Sequence, residues 1–218
     1  MKEKQKMKEK EKEFIVKNLK WIILFICLIG FLAIAEDVFN KEIMNGDIVG
    51  YKLISTFLIS DFATPIAKFI TNFGGAIFLA VLTIILFILI KNKKIGVSIF
   101  SNLVIITALN QLLKNILQRP RPTEYRIIEE TGYSFPSGHS MISMAFYGYI
   151  IYLIYKYVKN KYVKWISMAL LSLLICSIGI SRIYLGVHYT SDVLGGFLIS
   201  ISYLVIYISA VNKFLIEK

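Results

Sequence analysis

Apolar residues in this chain fall into long runs separated by short polar breaks. A helix that crosses a bilayer needs about 20 mostly apolar residues, within a range of about 17–25. Six segments meet that ruler: approximately Leu19–Ala35, Phe73–Ile90, Ile95–Leu113, His139–Tyr155, Trp165–Ser181 and Val193–Val211. The first, second and fifth are almost purely aliphatic and aromatic, whereas the third carries Ser98, Ser101, Asn102, Thr107, Asn110 and Gln111. Polar atoms in hydrocarbon need partners, so the third helix is expected to face other helices. Between the first two spans, residues 36–72 are mixed. Val49, Leu53, Ile54, Phe57 and Leu58 recur at helical spacing, Pro65 interrupts, and Ile66, Phe69 and Ile70 resume. That spacing predicts amphipathic helix on the outer leaflet, with a plain packed loop as the alternative.

No internal repeat or low-complexity linker divides the chain. The expected architecture is therefore all-α: an integral membrane bundle of six transmembrane helices over residues 19–212, with amphipathic helices in the first outer loop. A Lys-rich extension precedes it over residues 1–18, and a short tail follows over 213–218. The lead reads as solvated, partly helical chain with i,i+4 Lys/Glu pairs. Ala33-Ile34-Ala35 resembles a signal-peptide cleavage site, but so lysine-laden a lead favours a retained span.

Composition supports a membrane protein. The 218 residues are 56% hydrophobic and only 18% charged, yet the formal net charge is +11. Soluble domains have roughly 45–50% apolar and about 25% charged residues. Disordered, collagen-like and disulfide-scaffold classes are excluded, and no nucleic-acid partner is expected. Cys27 and Cys176 both sit in apolar runs, where a thiol behaves as a small hydrophobe, and no Cys/His spacing supports a zinc site.

The distribution of charge orients the bundle. Eight Lys in residues 1–20, three in the turn Lys91–Lys94, four between Lys156 and Lys164, and Lys213 with Lys218 make seventeen of the 25 basic residues on one side. By the positive-inside bias that side, with both termini, is cytoplasmic. The other side holds Lys41, Lys52, Lys68, Lys114, Arg119, Arg121, Arg126 and Arg182.

Three polar islands lie at the outer ends of the last four predicted spans, and ionisable residues near spans suggest function by default. The first runs from Lys114 to Arg119-Pro120-Arg121-Pro122, where each Pro pushes the preceding residue into extended backbone. Basic residues there oppose the topological bias and call for an anion, either a substrate or lipid headgroups. The second, Pro136-Ser137-Gly138-His139, opens the fourth span; Ser137 can cap the helix, and first-turn amides attract anions. The third runs from Ser181-Arg182 to His188 and Asp192. If the sixth helix begins near His188, Asp192 lies one turn on, where it can orient the imidazole; a plain structural hydrogen bond is the alternative. Only two histidines exist, and both fall beside Lys114, Arg121 and Arg182. Clustered cations with two histidines form a set suited to phosphoryl transfer without a metal.

These eleven positions, Lys114, Arg121 and Pro122, then Pro136 to His139, then Ser181, Arg182, His188 and Asp192, resemble the three-part signature of the type 2 phosphatidic acid phosphatase family of membrane lipid phosphatases. The resemblance covers the chain from about residue 40 to its end. It implies His188 as nucleophile through a phosphohistidine, Asp192 as its orienting partner, and His139 as acid and then activator of water. It further implies phosphate binding by Lys114, Arg121, Ser137, the Gly138 amide and Arg182. Arg119 lies outside the signature and is expected to be a secondary contact at most.

The resulting expectation is a multi-pass enzyme of the cytoplasmic membrane with its site on the extracytoplasmic side and no metal or other cofactor. It would hydrolyse a lipid phosphate or diphosphate, with undecaprenyl diphosphate, phosphatidylglycerophosphate and phosphatidate as candidates. Headgroup choice falls to the loop carrying Glu124, Tyr125, Arg126, Glu129, Glu130 and Tyr133. The alternatives are a non-catalytic lipid-phosphate-binding or transport protein and a haloperoxidase-like enzyme. Oligomeric state is not encoded in these patterns.

Overall fold

The computed structural model describes residues 2–42 and 44–216, with side chains from 18 to 42 and from 44 to 215. The described chain forms α1 (Lys2–Phe39), α2 (Asn45–Phe57), α3 (Ala63–Asn72), α4 (Ala76–Leu89), α5 (Lys93–Leu117), α6 (Gly138–Tyr157), α7 (Lys161–Tyr184) and α8 (Thr190–Val211), closed by a π-helical turn at Asn212–Ile216. No strand occurs among the described residues. The expected Lys/Glu side-chain pairs of the lead lie outside them.

Four helical stretches are long and apolar enough to cross a membrane: Asn18–Phe39, Lys93–Leu117, Lys161–Tyr184 and Thr190–Leu215. Within the expected second span, 73–90, α4 forms a single helix but has only 14 residues. The chain breaks at Gly74-Gly75 just before it, and α3, which the sequence placed in the amphipathic segment, forms with α4 a pair bent by 49° that counts as one further candidate span. A Cβ at Gly74 would lie 2.8 Å from both Ile178 Cγ2 and Ser143 Oγ, and 3.2 Å from His139 Cδ2. The break thus brings backbone against α6 and α7 where a side chain would not fit. Pro65, expected to interrupt a helix, instead sits in the first turn of α3, where its missing N–H leaves no bond unmade.

The expected fourth span, α6, is not among the helices apolar enough by composition. It packs against α5, α7 and α8. Ser140, Ser143, Tyr147 and Tyr149 are buried within these contacts. A helix surrounded by protein does not need a lipid-grade surface, and its 20 residues still extend about 30 Å. As the third span's polarity predicts, Ser98, Asn102 and Asn110 of α5 are buried, although Gln111 is exposed. Caps mark the turns: Asn92 accepts from the Lys94 amide and Asn160 from the Val163 amide. α1 packs along α8, with Leu24, Cys27, Phe31, Ala35 and Val38 buried.

Candidate active site

The up-and-down order of α5 to α8 brings the C-terminal ends of α5 and α7 and the N-terminal ends of α6 and α8 to one end of the bundle. All three polar islands meet there. Asp192 is the third residue of α8, and its Oδ2 accepts from the Tyr189 amide at 2.8 Å. His188 lies in the loop two residues before α8, so the helix does begin near it. The i,i+4 contact forms, because the Asp192 carboxylate folds back on the helix start: His188 Nδ1 lies 3.2 Å from Asp192 Oδ2.

The other imidazole nitrogen, Nε2, lies 3.0 Å from Arg121 Nη1. A guanidinium only donates, so Nε2 accepts, which leaves the proton on Nδ1 facing Asp192. The tautomer is thereby set with its lone pair toward the cations. Burial pushes the His188 imidazole down to about 4, against the pull of the Asp192 carboxylate.

Each signature cation is held in place. Lys114 Nζ donates to the Tyr133 carbonyl and, at 3.2 Å, to that of Ser134. Arg121 donates to the carbonyls of Thr131, Gly132 and Val187 at 3.0–3.2 Å. Arg182, 1% exposed, donates to Thr71 Oγ1 at 2.8 Å and Glu130 Oε1 at 2.5 Å, while its Nε is buried with no acceptor. Glu130 Oε2 is also 4.0 Å from Arg121, so its carboxylate bridges two of the cations. Burial works to raise the Glu130 carboxyl, but Arg182 and then Arg121 outweigh it and hold it below the usual carboxylate range. The fields of Arg182, His188, Arg121 and Lys114 all bear on His139 at the start of α6.

Ser137 is fully buried and serves as the cap of α6: its Oγ accepts from the Ser140 amide at 3.4 Å and the Ser140 hydroxyl at 3.0 Å. Gly138 packs close to Asn110, whose amide donates to the Pro136 carbonyl at 3.2 Å and so anchors the loop. The Phe135–Pro136 peptide bond is cis.

Five residues that motif spacing did not single out as site residues join the cluster. Ser134 donates to Asp192 Oδ2 and lies 3.3 Å from His188 Nδ1. Thr71 and Glu130 hold Arg182. Arg119, expected to be a secondary contact, is instead buried and paired with both Asp192 and Asp47 at 2.7 Å. An Arg before Pro beside the signature was a visible hint for Arg119; Asp47 and Thr71 offered no local signal. Among the described residues no group of three His, Cys, Asp or Glu side chains forms a metal-ligating cluster.

The sequence pattern of the PAP2 superfamily matches residues 94–216. Phosphatidylglycerophosphatase B of Bacillus subtilis is 42% identical over 93 residues, 41% of this chain and 44% of that protein, so the match spans less than half of that relative. An undecaprenyl-diphosphatase of Sulfolobus acidocaldarius is 27% identical over 191 residues, covering 82% of this chain and 84% of the other. The crystal structure of a transmembrane PAP2 type phosphatidylglycerolphosphate phosphatase from Bacillus subtilis aligns with a TM-score of 0.75 at 26% identity, covering 88% of this chain and 96% of that one. With the family pattern extending over more than half of its length, and an all-helical membrane fold to match, this chain belongs to the PAP2 superfamily.

Proposed function

We propose that this protein is a membrane phosphatase that hydrolyses lipid phosphate monoesters or diphosphates through a phosphohistidine on His188. The observation that carries the reading is the His188 imidazole itself. One nitrogen is protonated toward Asp192 at 3.2 Å, and the other presents its lone pair beside Arg121 at 3.0 Å. A nucleophile oriented by a carboxylate and aimed into a nest of cations suits attack on a phosphoryl group.

In the first step His188 Nε2 forms a bond to phosphorus while the bond to the lipid oxygen breaks, and His139 gives that oxygen its proton. In the second, water attacks the phosphohistidine, His139 takes the water's proton, and the P–N electron pair returns to Nε2 with release of inorganic phosphate. Lys114, Arg121, Arg182 and the first amides of α6 hold the phosphate oxygens, with the orphaned Arg182 Nε as a ready donor. The arriving phosphate displaces Glu130 from Arg182 and Arg121, and its own negative charge favours the proton on His139. No step calls for a metal, since each carboxylate of the cluster is paired with an arginine.

Phosphatidylglycerophosphate and undecaprenyl diphosphate are the substrate candidates to which the named relatives point, and phosphatidate shares their chemistry. We read the bundle as six crossings, with α6 as the central one, α3 and α4 as a bent second one, and α2 on the outer surface. We read the termini as cytoplasmic and the site as outside, a reading supported by the excess of basic residues in the loops on the side of the termini. The test is phosphate release from detergent-solubilised protein over undecaprenyl diphosphate, phosphatidylglycerophosphate, phosphatidate and a water-soluble ester. Release that persists in chelator and is blocked by vanadate, a mimic of the five-coordinate phosphorus, supports the reading. Tight binding of these lipids without any release refutes it in favour of a binding or transport role.

A further inference from the structure

α2 contains Ile48, Val49, Leu53 and Phe57, all exposed, yet its one buried residue is Asp47. The Asp47 carboxylate accepts from Arg119 Nη2 at 2.7 Å, from the Ser191 amide at 2.8 Å and from Ser191 Oγ at 2.9 Å. Arg119 in turn donates through Nη1 to Asp192 Oδ1 and to Ser191 Oγ, both at 2.7 Å, and its guanidinium stacks 4.0 Å over the Tyr189 ring. Asp192 turns its other oxygen to His188. A buried line of alternating charge thus runs from Asp47 through Arg119 and Asp192 to the imidazole. Gly50 seats α2 on the start of α8: a Cβ there would overlap Thr190 Oγ1 and fall 3.0 Å from both Cβ and Cγ2 of Thr190.

We propose that Asp47 and Arg119 are positioning residues for the His188–Asp192 pair, so that α2, outside the matched span of residues 94–216, completes the site. This rests on the reading of His188 as nucleophile. Without Arg119 the Asp192 carboxylate would be held at Oδ2 alone, by the Tyr189 amide and Ser134 beside the imidazole. Arg119 pins Oδ1 as well, so both oxygens are fixed with Oδ2 facing the imidazole. One guanidinium between two carboxylates also balances their charge. Without it, two buried like charges would face each other, and one would take up a proton. The ionisable groups bearing on Asp192 are His188, Tyr189, Arg119, Arg121 and Lys114, with Asp47 on the far side of Arg119; only the Asp47–Arg119 pair is altered in the variants.

The test compares Arg119→Gln, Asp47→Asn and the double variant in full-length protein in one detergent, with kcat and KM for phosphate release followed against pH. Arg119→Gln is expected to lower kcat by about 10²-fold with KM little changed, the size of loss that misplacement by an ångström produces. The acid limb of its kcat profile moves to higher pH, because an unbalanced carboxylate pair now holds a proton. The double variant, which lacks the surplus carboxylate, regains part of that rate and returns the acid limb toward the wild-type position. A residue serving packing alone would give a double variant no better than Arg119→Gln, with the acid limb unmoved, and that result overturns the proposal. Should Arg119→Gln fail to fold, Arg119→Lys keeps the charge but loses the fork: kcat falls with KM held, and a wild-type kcat overturns the proposal. Wild-type protein that releases no phosphate overturns the parent reading as well. An active wild type with fully active Arg119→Gln overturns the positioning role alone.

Discussion

Two polar clusters are buried in this bundle, and they are built differently. The site cluster at the end of α5 is ionic and cross-linked: Lys114, Arg119, Arg121, Arg182, Asp47, Glu130, His188 and Asp192 come from six separate stretches of chain. The second lies about 24 Å back along α5 and is neutral. There Tyr149 donates to Ser98 Oγ at 2.8 Å, Tyr207 donates to the Ser98 carbonyl at 2.5 Å, and the Tyr207 hydroxyl lies 2.6 Å from Ser101 Oγ. Beside them Asn102 is buried with neither of its side-chain amide atoms partnered. A buried charge without partners is expensive, so the ionic cluster must be over-determined; a neutral hydroxyl is satisfied by one neighbour and tolerates an imperfect site. The first cluster fixes the residues of the proposed chemistry, whereas the second holds helices together.

Breaking the ionic cluster at its centre has the largest expected effect. His188→Ala should reduce turnover to background, and no phosphohistidine should be trapped from labelled substrate; near-normal turnover would remove the nucleophile from the proposal. His139→Ala should lower kcat by about 10²–10⁴-fold on an alkyl phosphate, the range typical of general acid–base help. On an aryl phosphate with an acidic leaving phenol the loss should be much smaller, because that oxygen leaves without a proton. Equal losses on both would deny His139 the role of acid.

The pH profile sharpens the comparison further. Burial holds the His188 imidazole down to about 4, so its neutral form, the one the proposed attack requires, persists well below the ordinary histidine value near 6.5 and is lost only as pH falls through about 4. The acid limb of kcat/KM, corrected for the substrate's own ionisation, should therefore lie below pH 6. A limb at 6.5 would mean that the imidazole is not buried as described. The smallest effect belongs to the neutral ladder. Tyr149→Phe should leave kcat unchanged and lower stability in detergent by about 0.6–1.7 kcal/mol, the range for hydrogen bonds between membrane helices. A fall in kcat without a fall in melting temperature would show that the two clusters are coupled.

Much of this was legible in the sequence, because membrane spans and the signature are both local patterns. Long apolar runs marked α1, α5, α7 and α8, and the three motifs marked the end of the bundle where they meet. What escaped were features set by distant neighbours. The sequence set α3 in the outer amphipathic segment and began the second span at Phe73, whereas the structure joins α3 and α4 as one bent pair, with Gly74 at the break close against α6 and α7. Asp47 was invisible because an aspartate at a helix start looks like an ordinary N-terminal acid. Its partners, Arg119 and Ser191, are 72 and 144 residues away.

The sequence alone determined which stretches seek hydrocarbon, which end of the bundle collects the basic and imidazole groups, and how far apart along the chain they stand. Hydropathy and motif spacing depend on each residue and its near neighbours, so no tertiary information is needed to read them. Only the tertiary structure decided which nitrogen of His188 carries the proton, which carboxylate occupies the cations, and that α2 reaches across to Arg119. Those outcomes depend on hydrogen bonds a few ångströms long between residues far apart in the chain, and only packing brings such atoms together.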